Sequence, residues 1–175
     1  MIFETERLIV REYEPAQDGE AAFAIYGDPE VTRYLGDGSP VPDLATQLAR
    51  LTDRVAHYRA ATDGSFFGAI CLRSGELLGS LLLKPLPDAD GIPTEDWEIG
   101  WHLGRHAWGQ GYASEAATAG LKYGFETVGL EEIFAVVCEE NGPSVRVTER
   151  IGMLPLGTTD SYYGRELLLF RSGSI

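Results

Sequence analysis

The sequence predicts a single domain of mixed α/β class, and three observations carry that expectation. Its 175 residues suit one domain, since domains usually run ~100–200 residues. Short β-branched and apolar runs alternate with segments whose apolar residues recur at helical spacing. The order reads strand, helices, antiparallel meander, then strand–helix–strand–helix–strand, with no internal repeat and no interior linker. Composition agrees: 44% hydrophobic and 23% charged residues are ordinary globular proportions, unlike those of a disordered chain.

Residues 7–13 (RLIVREY) are β-branched and apolar, bounded by Pro15, and predict a strand. Asp18 is a candidate cap for a helix carrying Ala21, Ala22, Ile25 and Tyr26. Asp28 and Pro29 end or kink it, and a helical turn through Val31 and Tyr34 follows. Residues 36–42 (GDGSPVP) read as a loop. Leu44, Leu48, Leu51, Val55 and Tyr58 then define an amphipathic helix. After the turn at Asp63 and Gly64, residues 66–72 and 77–83 predict strands joined by a hairpin through Ser74 and Gly75. Residues 85–94 (PLPDADGIPT) read as a loop and 96–103 (DWEIGWHL) as a further strand. A glycine-containing loop over 104–112 leads into a helix over 113–128, stopped by Gly129. A buried strand over 133–138, a short helix over 144–151 ended by Gly152, a loop or short strand over 158–163 and a last strand over 166–171 complete the chain.

The net charge is −13. Duplex binding needs clustered Lys and Arg, so no nucleic-acid partner is expected. Such acidity suits either long-range attraction of cationic substrates or plain solubility. Glycine is abundant, 21 of 175 residues against an average of ~7%, which predicts many turns and close backbone approaches. No stretch nears the ~18 apolar residues of a membrane span, and the start lacks a signal-peptide pattern. Cys71 and Cys138 lie in apolar strand-like runs and read as buried thiols in a reducing compartment. A cytoplasmic protein with no membrane partner is the expectation, and a homodimer is compatible with it.

The segment 108–116 (WGQGYASEA) runs from a strand end into a helix start. Helix N-termini present unpaired N–H groups and partial positive charge, so they hold phosphate well. Gly109 and Gly111 let the backbone approach an anion; the rival reading is a purely structural turn, with Glu115 complementing the helix dipole. Two common phosphate motifs fail here. A Walker loop needs Lys-Ser/Thr after its last glycine, where this chain has Tyr112. A Rossmann fingerprint needs a third glycine, where this chain has Ser114.

The segment instead resembles the coenzyme A loop of GNAT N-acetyltransferases, whose pattern is Gln/Arg-x-x-Gly-x-Gly/Ala. On this chain it reads Trp108-Gly109-Gln110-Gly111-Tyr112-Ala113, with Trp where Gln or Arg is usual. Thr5-Glu6-Arg7-Leu8, Gly27-Asp28-Pro29-Glu30-Val31, Glu98-Ile99-Gly100-Trp101 and the stretch from Asn141 through Ser144 and Arg146 to Gly152-Met153 are similar to the RimJ/RimL-like branch, that of ribosomal-protein N-terminal acetyltransferases. The resemblance implies the GNAT fold, with a largely antiparallel central sheet, flanking helices and a splayed strand pair that holds the coenzyme. It implies acetyl-CoA as cosubstrate and a primary amine as acceptor, either a protein N-terminus or a small molecule. Backbone amides from Gly109 to Ser114 would cradle the diphosphate. Backbone groups of His102 and Leu103 would meet the thioester carbonyl and pantetheine amide, and Asn141 would bond the pantetheine arm.

Glu98 is the candidate general base, and alternation puts it on the face of His102. A carboxylate beside Trp97 and Trp101 suits taking the proton an ammonium acceptor must lose; the rival reading is a strand carboxylate paired with an Arg. For the general acid, Thr148 stands where many relatives use Tyr, and the RimL-like branch suggests Ser144; the rival reading of Ser144 is a helix cap. Tyr162 and Tyr163 are further candidates. His102 and His106 have i, i+4 spacing, but HLGRH has no Glu after the first His and Gly104 disfavours helix, so no metal is expected. Neither Cys has a His at a helpful spacing, which favours direct attack in a ternary complex over an acyl-enzyme. The loops at 37–42 and 85–94 are candidates to shape the acceptor pocket. The rival from another class is a non-catalytic acyl-CoA-binding or sensor module.

Overall fold

A computed structural model describes residues 1–173. Eight strands form one sheet: β1 (Phe3–Glu4), β2 (Leu8–Glu12), β3 (Phe66–Leu72), β4 (Leu77–Pro87), β5 (Pro93–Leu103), β6 (Glu132–Val137), β7 (Leu154–Thr159) and β8 (Leu167–Gly173). Their order across the sheet is β1-β2-β3-β4-β5-β6-β8-β7. Every neighbouring pair is antiparallel except β5 and β6, which run parallel. The mixed, mostly antiparallel sheet expected from the sequence is therefore present.

Helices α1 (Pro15–Tyr26), α2 (Pro29–Thr32), α3 (Leu44–Ala60), α4 (Tyr112–Tyr123) and α5 (Gly142–Arg150) complete the fold. One face of the sheet packs Leu81, Leu83, Ile99 and Ile133 with Ala116, Ala117 and Leu121 of α4. The other packs Phe67, Cys71 and Leu82 with Ala22 and Ile25 of α1 and Leu51 and Val55 of α3. Small residues bring α4 close: a Cβ on Gly120 would sit 2.8 Å from Cδ1 of Ile99. Past Tyr123 the helix widens into a π turn over Gly124–Val128, ended by Gly129 at φ +83°.

Several boundaries differ from the sequence reading, each for a physical reason. Helix α1 starts at Pro15, because proline suits a first helical position, where no N–H is needed. Asp18 is not its cap: the carboxylate is buried and receives two 2.8 Å bonds from Arg11 and one of 2.7 Å from the Glu14 N–H. The ends of the 85–94 segment are strand and not loop, since β4 runs to Pro87 and β5 starts at Pro93, with a register shift between Pro85 and Pro87. The turn that remains is held by Asp88 Oδ1, which accepts from the N–H groups of Asp90 and Ile92 at 2.9 Å. Strand β7 lies at the exposed sheet edge, where Pro155 is tolerated and no alternation marks the strand. Cys71 is buried, whereas Cys138 is only half-buried.

Candidate active site

Strands β5 and β6 meet at Glu98 and Phe134, and each keeps an antiparallel partner on its outer side. Beyond that bridge a cavity of about 580 Å³ is bounded by residues 98–102 of β5 and by Ala135, Val136, Val137 and Cys138. Glu98, His102, Asn141 and Ser144 all line it. The 37–42 loop contributes Asp37, Ser39 and Val41, whereas the 85–94 segment contributes nothing.

Where β5 ends, the loop into α4 turns on Gly109 (φ +74°) and Gly111 (φ +80°). Gly111 is the N-cap of α4, and no side chain caps the helix, so the N–H groups of Tyr112, Ala113 and Ser114 have no side-chain partner among the described residues. The β1–β2 turn clamps this loop. Arg7 donates to the Gln110 carbonyl at 3.0 Å and to Glu115 Oε2 at 2.6 Å, and its guanidinium lies 4.6 Å from the Tyr112 ring centre. Thr5 Oγ1 donates to Glu115 Oε1 at 2.5 Å. Burial pushes the Glu115 carboxyl up, but the Thr5 and Arg7 hydrogen bonds outweigh it and hold the group below its ordinary range. The anion of Glu115 is thus already matched, and the helix start remains electropositive. Ser114 is buried and its Oγ accepts from Arg150 at 3.3 Å. Trp108 is 47% exposed, and its indole donates to the Leu103 carbonyl at 2.8 Å.

Glu98 is buried, and its partner is Lys84 rather than an arginine. Lys84 faces it across the β4–β5 register, with Nζ 2.6 Å from Oε1. The Tyr163 hydroxyl donates to the same oxygen and accepts from Lys84 Nζ at 3.0 Å. Burial first, then the Glu98 charge, push the Tyr163 hydroxyl well above its ordinary value, so it stays protonated. Tyr163 holds φ +59°, a backbone region rare for bulky residues, which suits a side chain pinned by the site. Both contacts fall on Oε1, and Oε2 of Glu98 has no hydrogen-bond partner among the described residues. Tyr162 points elsewhere and donates to Asp96 at 2.7 Å.

Alternation sends Trp97 and Trp101 to the α4-covered face, so they do not flank the Glu98 carboxylate as expected, although Trp101 also borders the gap. Helix α5 is capped by Asn141, whose Oδ1 accepts from the Ser144 N–H at 3.3 Å. Ser144 is therefore not the cap. Thr148 is fully buried, and its hydroxyl is spent on the Val145 carbonyl at 2.7 Å.

His102 ends a buried polar chain. Tyr13 donates to the Gly79 carbonyl at 3.0 Å and lies 2.6 Å from Ser80 Oγ. Ser80 Oγ lies 2.5 Å from the Tyr26 hydroxyl, which lies 3.1 Å from His102 Nδ1. A carbonyl only accepts and each hydroxyl has one proton, so the donors run in order from His102 through Tyr26, Ser80 and Tyr13 to Gly79. Nδ1 then carries the proton and Nε2 the lone pair. Burial first, then the Arg54 charge, lower the His102 pKa to about 4, which keeps the ring neutral. The His102 carbonyl faces β4, since a Cβ on Gly79 would collide with it. His106 lies apart, 3.8 Å from Glu76. Lys84, Tyr26, Ser80 and Tyr13 escaped the sequence reading, because register and packing, not spacing, bring them here.

Comparison with known proteins agrees with this architecture. Residues 7–154 match the family model of an acetyltransferase (GNAT) domain. An uncharacterized N-acetyltransferase, p20 of Bacillus licheniformis, is 30% identical over 158 residues, covering 90% of this chain and 85% of the relative. The crystal structure of a GNAT-family acetyltransferase from Bacillus anthracis superposes with TM-score 0.78 at 26% identity, covering 97% of this chain and 96% of that one. Mycobacterium smegmatis RimJ, solved in complex with CoA-disulfide, superposes with TM-score 0.74 at 22% identity, covering 95% and 82%, a likeness of fold. Among the described residues, no helix is long and apolar enough to cross a membrane.

Proposed function

The chain belongs to the GNAT acetyltransferase family, and on that premise we propose that it moves the acetyl group of acetyl-CoA to a primary amine by direct attack in a ternary complex. The observation that carries the reading is the gap between β5 and β6, with Glu98 at the point where the strands part and an uncapped helix start following β5. The uncapped N–H groups of Tyr112, Ala113 and Ser114 fit a diphosphate, and Asn141, beside the gap, fits the pantetheine arm.

Acetyl-CoA supplies an activated thioester. Glu98 Oε2 takes a proton from the incoming ammonium, directly or through water, and frees the nitrogen lone pair to form the new C–N bond. Lys84 and Tyr163 hold Oε1, which fixes the carboxylate and leaves Oε2 without a protein partner among the described residues. As the C–S bond breaks, Ser144 Oγ gives a proton to the departing thiolate and recovers one from solvent. The attacking nitrogen loses its second proton to solvent as the amide forms, and Glu98 releases the one it took. The transfer thus yields an amide, a free thiol and one proton.

The test is release of free thiol from acetyl-CoA on adding amines, with mass analysis of the acetylated product. Amine-dependent thiol release supports the proposal. Coenzyme binding without thiol release for any protein N-terminal peptide or small amine contradicts it.

A further inference from the structure

We propose that the acceptor is a small primary amine that also carries an anionic group, a carboxylate or a phosphate, held by the arginines of the cavity while the amine faces Glu98. The inference rests on the acetyltransferase reading and adds the acceptor's chemistry to it.

The bulk charge of −13 points by itself toward cationic ligands. The cavity points the other way. Arg50, Arg54 and Arg165 line it against the carboxylates of Asp37 and Glu98, and Glu98 is already matched by Lys84. None of the three arginines forms an ion pair with a carboxylate among the described residues. A hydrogen bond from the Ser39 N–H, helped by the Arg50 charge, holds the Asp37 carboxyl low. Arg54 and Arg165 have no such acidic partner within ion-pair distance among the described residues. Guanidinium groups in a cleft with low-dielectric walls are a site for an anion.

Gln47 is an independent observation. It is only 3% exposed, lines the cavity, and its side-chain amide has no hydrogen-bond partner among the described residues. The amide atoms are not sealed off from the cavity, so they are available to hydrogen-bond a molecule bound there. Gln47, Arg50 and Arg54 recur at +3 and +4 and share one face of α3. Arg54 lies 4.1 Å from the Phe67 ring centre, and Arg165 donates to the carbonyls of Tyr34 at 3.2 Å and Gly36 at 3.4 Å. Two of the charges are therefore placed before any ligand arrives, which lowers the cost of ordering them.

This anion site is distinct from the coenzyme's. The α4 start serves the opposite face of the sheet from α3. Size favours a small acceptor. The cavity of about 580 Å³ must also admit the pantetheine arm. Its rim is tied by Arg165 to the 34–36 segment and by the Tyr34 hydroxyl, which donates to the Glu140 carbonyl at 3.1 Å.

Matched amines test the proposal: β-alanine against β-alaninamide, and O-phosphoethanolamine against ethanolamine, with spermidine and an acidic N-terminal peptide alongside. The anionic member of each pair should show kcat/KM at least ~10-fold above its neutral partner, as a charge-assisted arginine contact predicts. In an Arg50→Gln/Arg54→Gln double variant, shown by its melt to be folded, that ratio should fall toward one. Equal or better use of neutral amines or spermidine overturns the proposal, as does a ratio that survives in the double variant. Preference for the peptide over every small amine overturns the assignment of a small acceptor. Calorimetric titration of the same amines into CoA-saturated protein reads the site without turnover: tighter binding of the anionic member supports it, and equal binding overturns it. Failure of the acetyltransferase reading differs, appearing as no thiol release with any amine.

Discussion

The Tyr26 hydroxyl lies 3.1 Å from Nδ1 of His102, and the chain of hydroxyls behind it fixes which ring nitrogen holds the proton. A neutral His102 has a thermodynamic signature. Its pKa near 4 in the fold lies below the ordinary 6.5, so between these values the unfolded chain binds the extra proton. Stability falls as pH drops through that window, by at most about 3 kcal/mol, and no further below it. Carboxylates held low, such as Asp18 and Glu115, add their losses only below their own ordinary ranges. Melting temperatures at pH 7, 5.5 and 4.5 should decline for the wild type and flatten in His102→Gln. Equal slopes would place the pH dependence elsewhere.

Much of this was legible in the chain because it is local. Leu44, Leu48, Leu51, Val55 and Tyr58 mark α3 by period alone, and alternation along 96–103 puts Glu98 on the His102 face. What was not legible is non-local. Lys84 reaches Glu98 only through the β4–β5 register, and Tyr163 reaches it from a loop. Asp18 looked like a cap because its true partner, Arg11, sits on another element. Edge strand β7 gave no alternating signal because it buries neither face.

Arg7 acts as a positioning residue for the α4 loop, joining Gln110 and Glu115. Arg7→Ala should raise the acetyl-CoA KM roughly 3–10-fold with kcat less affected, since the lost contacts are charge-assisted but largely exposed. Steady-state kinetics at varied acetyl-CoA check this, and an unchanged KM would show that the clamp does not position the loop.

Gly111 holds φ +80°, and a Cβ there would meet only the Arg7 guanidinium, at 3.5 Å. The strain of Gly111→Val therefore comes from the backbone conformation and from blocking the ligand's approach, not from crowding within the protein. Losing one or two hydrogen bonds to phosphate should weaken acetyl-CoA binding at least ~10-fold. Calorimetric titration of a folded variant measures it.

Asn141 and Ser144 separate by role. Asn141→Ala removes the α5 cap and should cost about 1 kcal/mol of stability. Ser144→Ala should leave the melt almost unchanged and lower the rate. Parallel losses of rate and melting temperature in Ser144→Ala would make it structural.

Glu98→Gln, read as kcat for amine acetylation beside the acetyl-CoA dissociation constant, bears most directly on the chemistry. Its kcat should be lower by ~10²–10⁴-fold, the usual contribution of a general base, with coenzyme affinity nearly intact. A variant that keeps the wild-type kcat across pH 6–9 would contradict the role of Glu98 as the base.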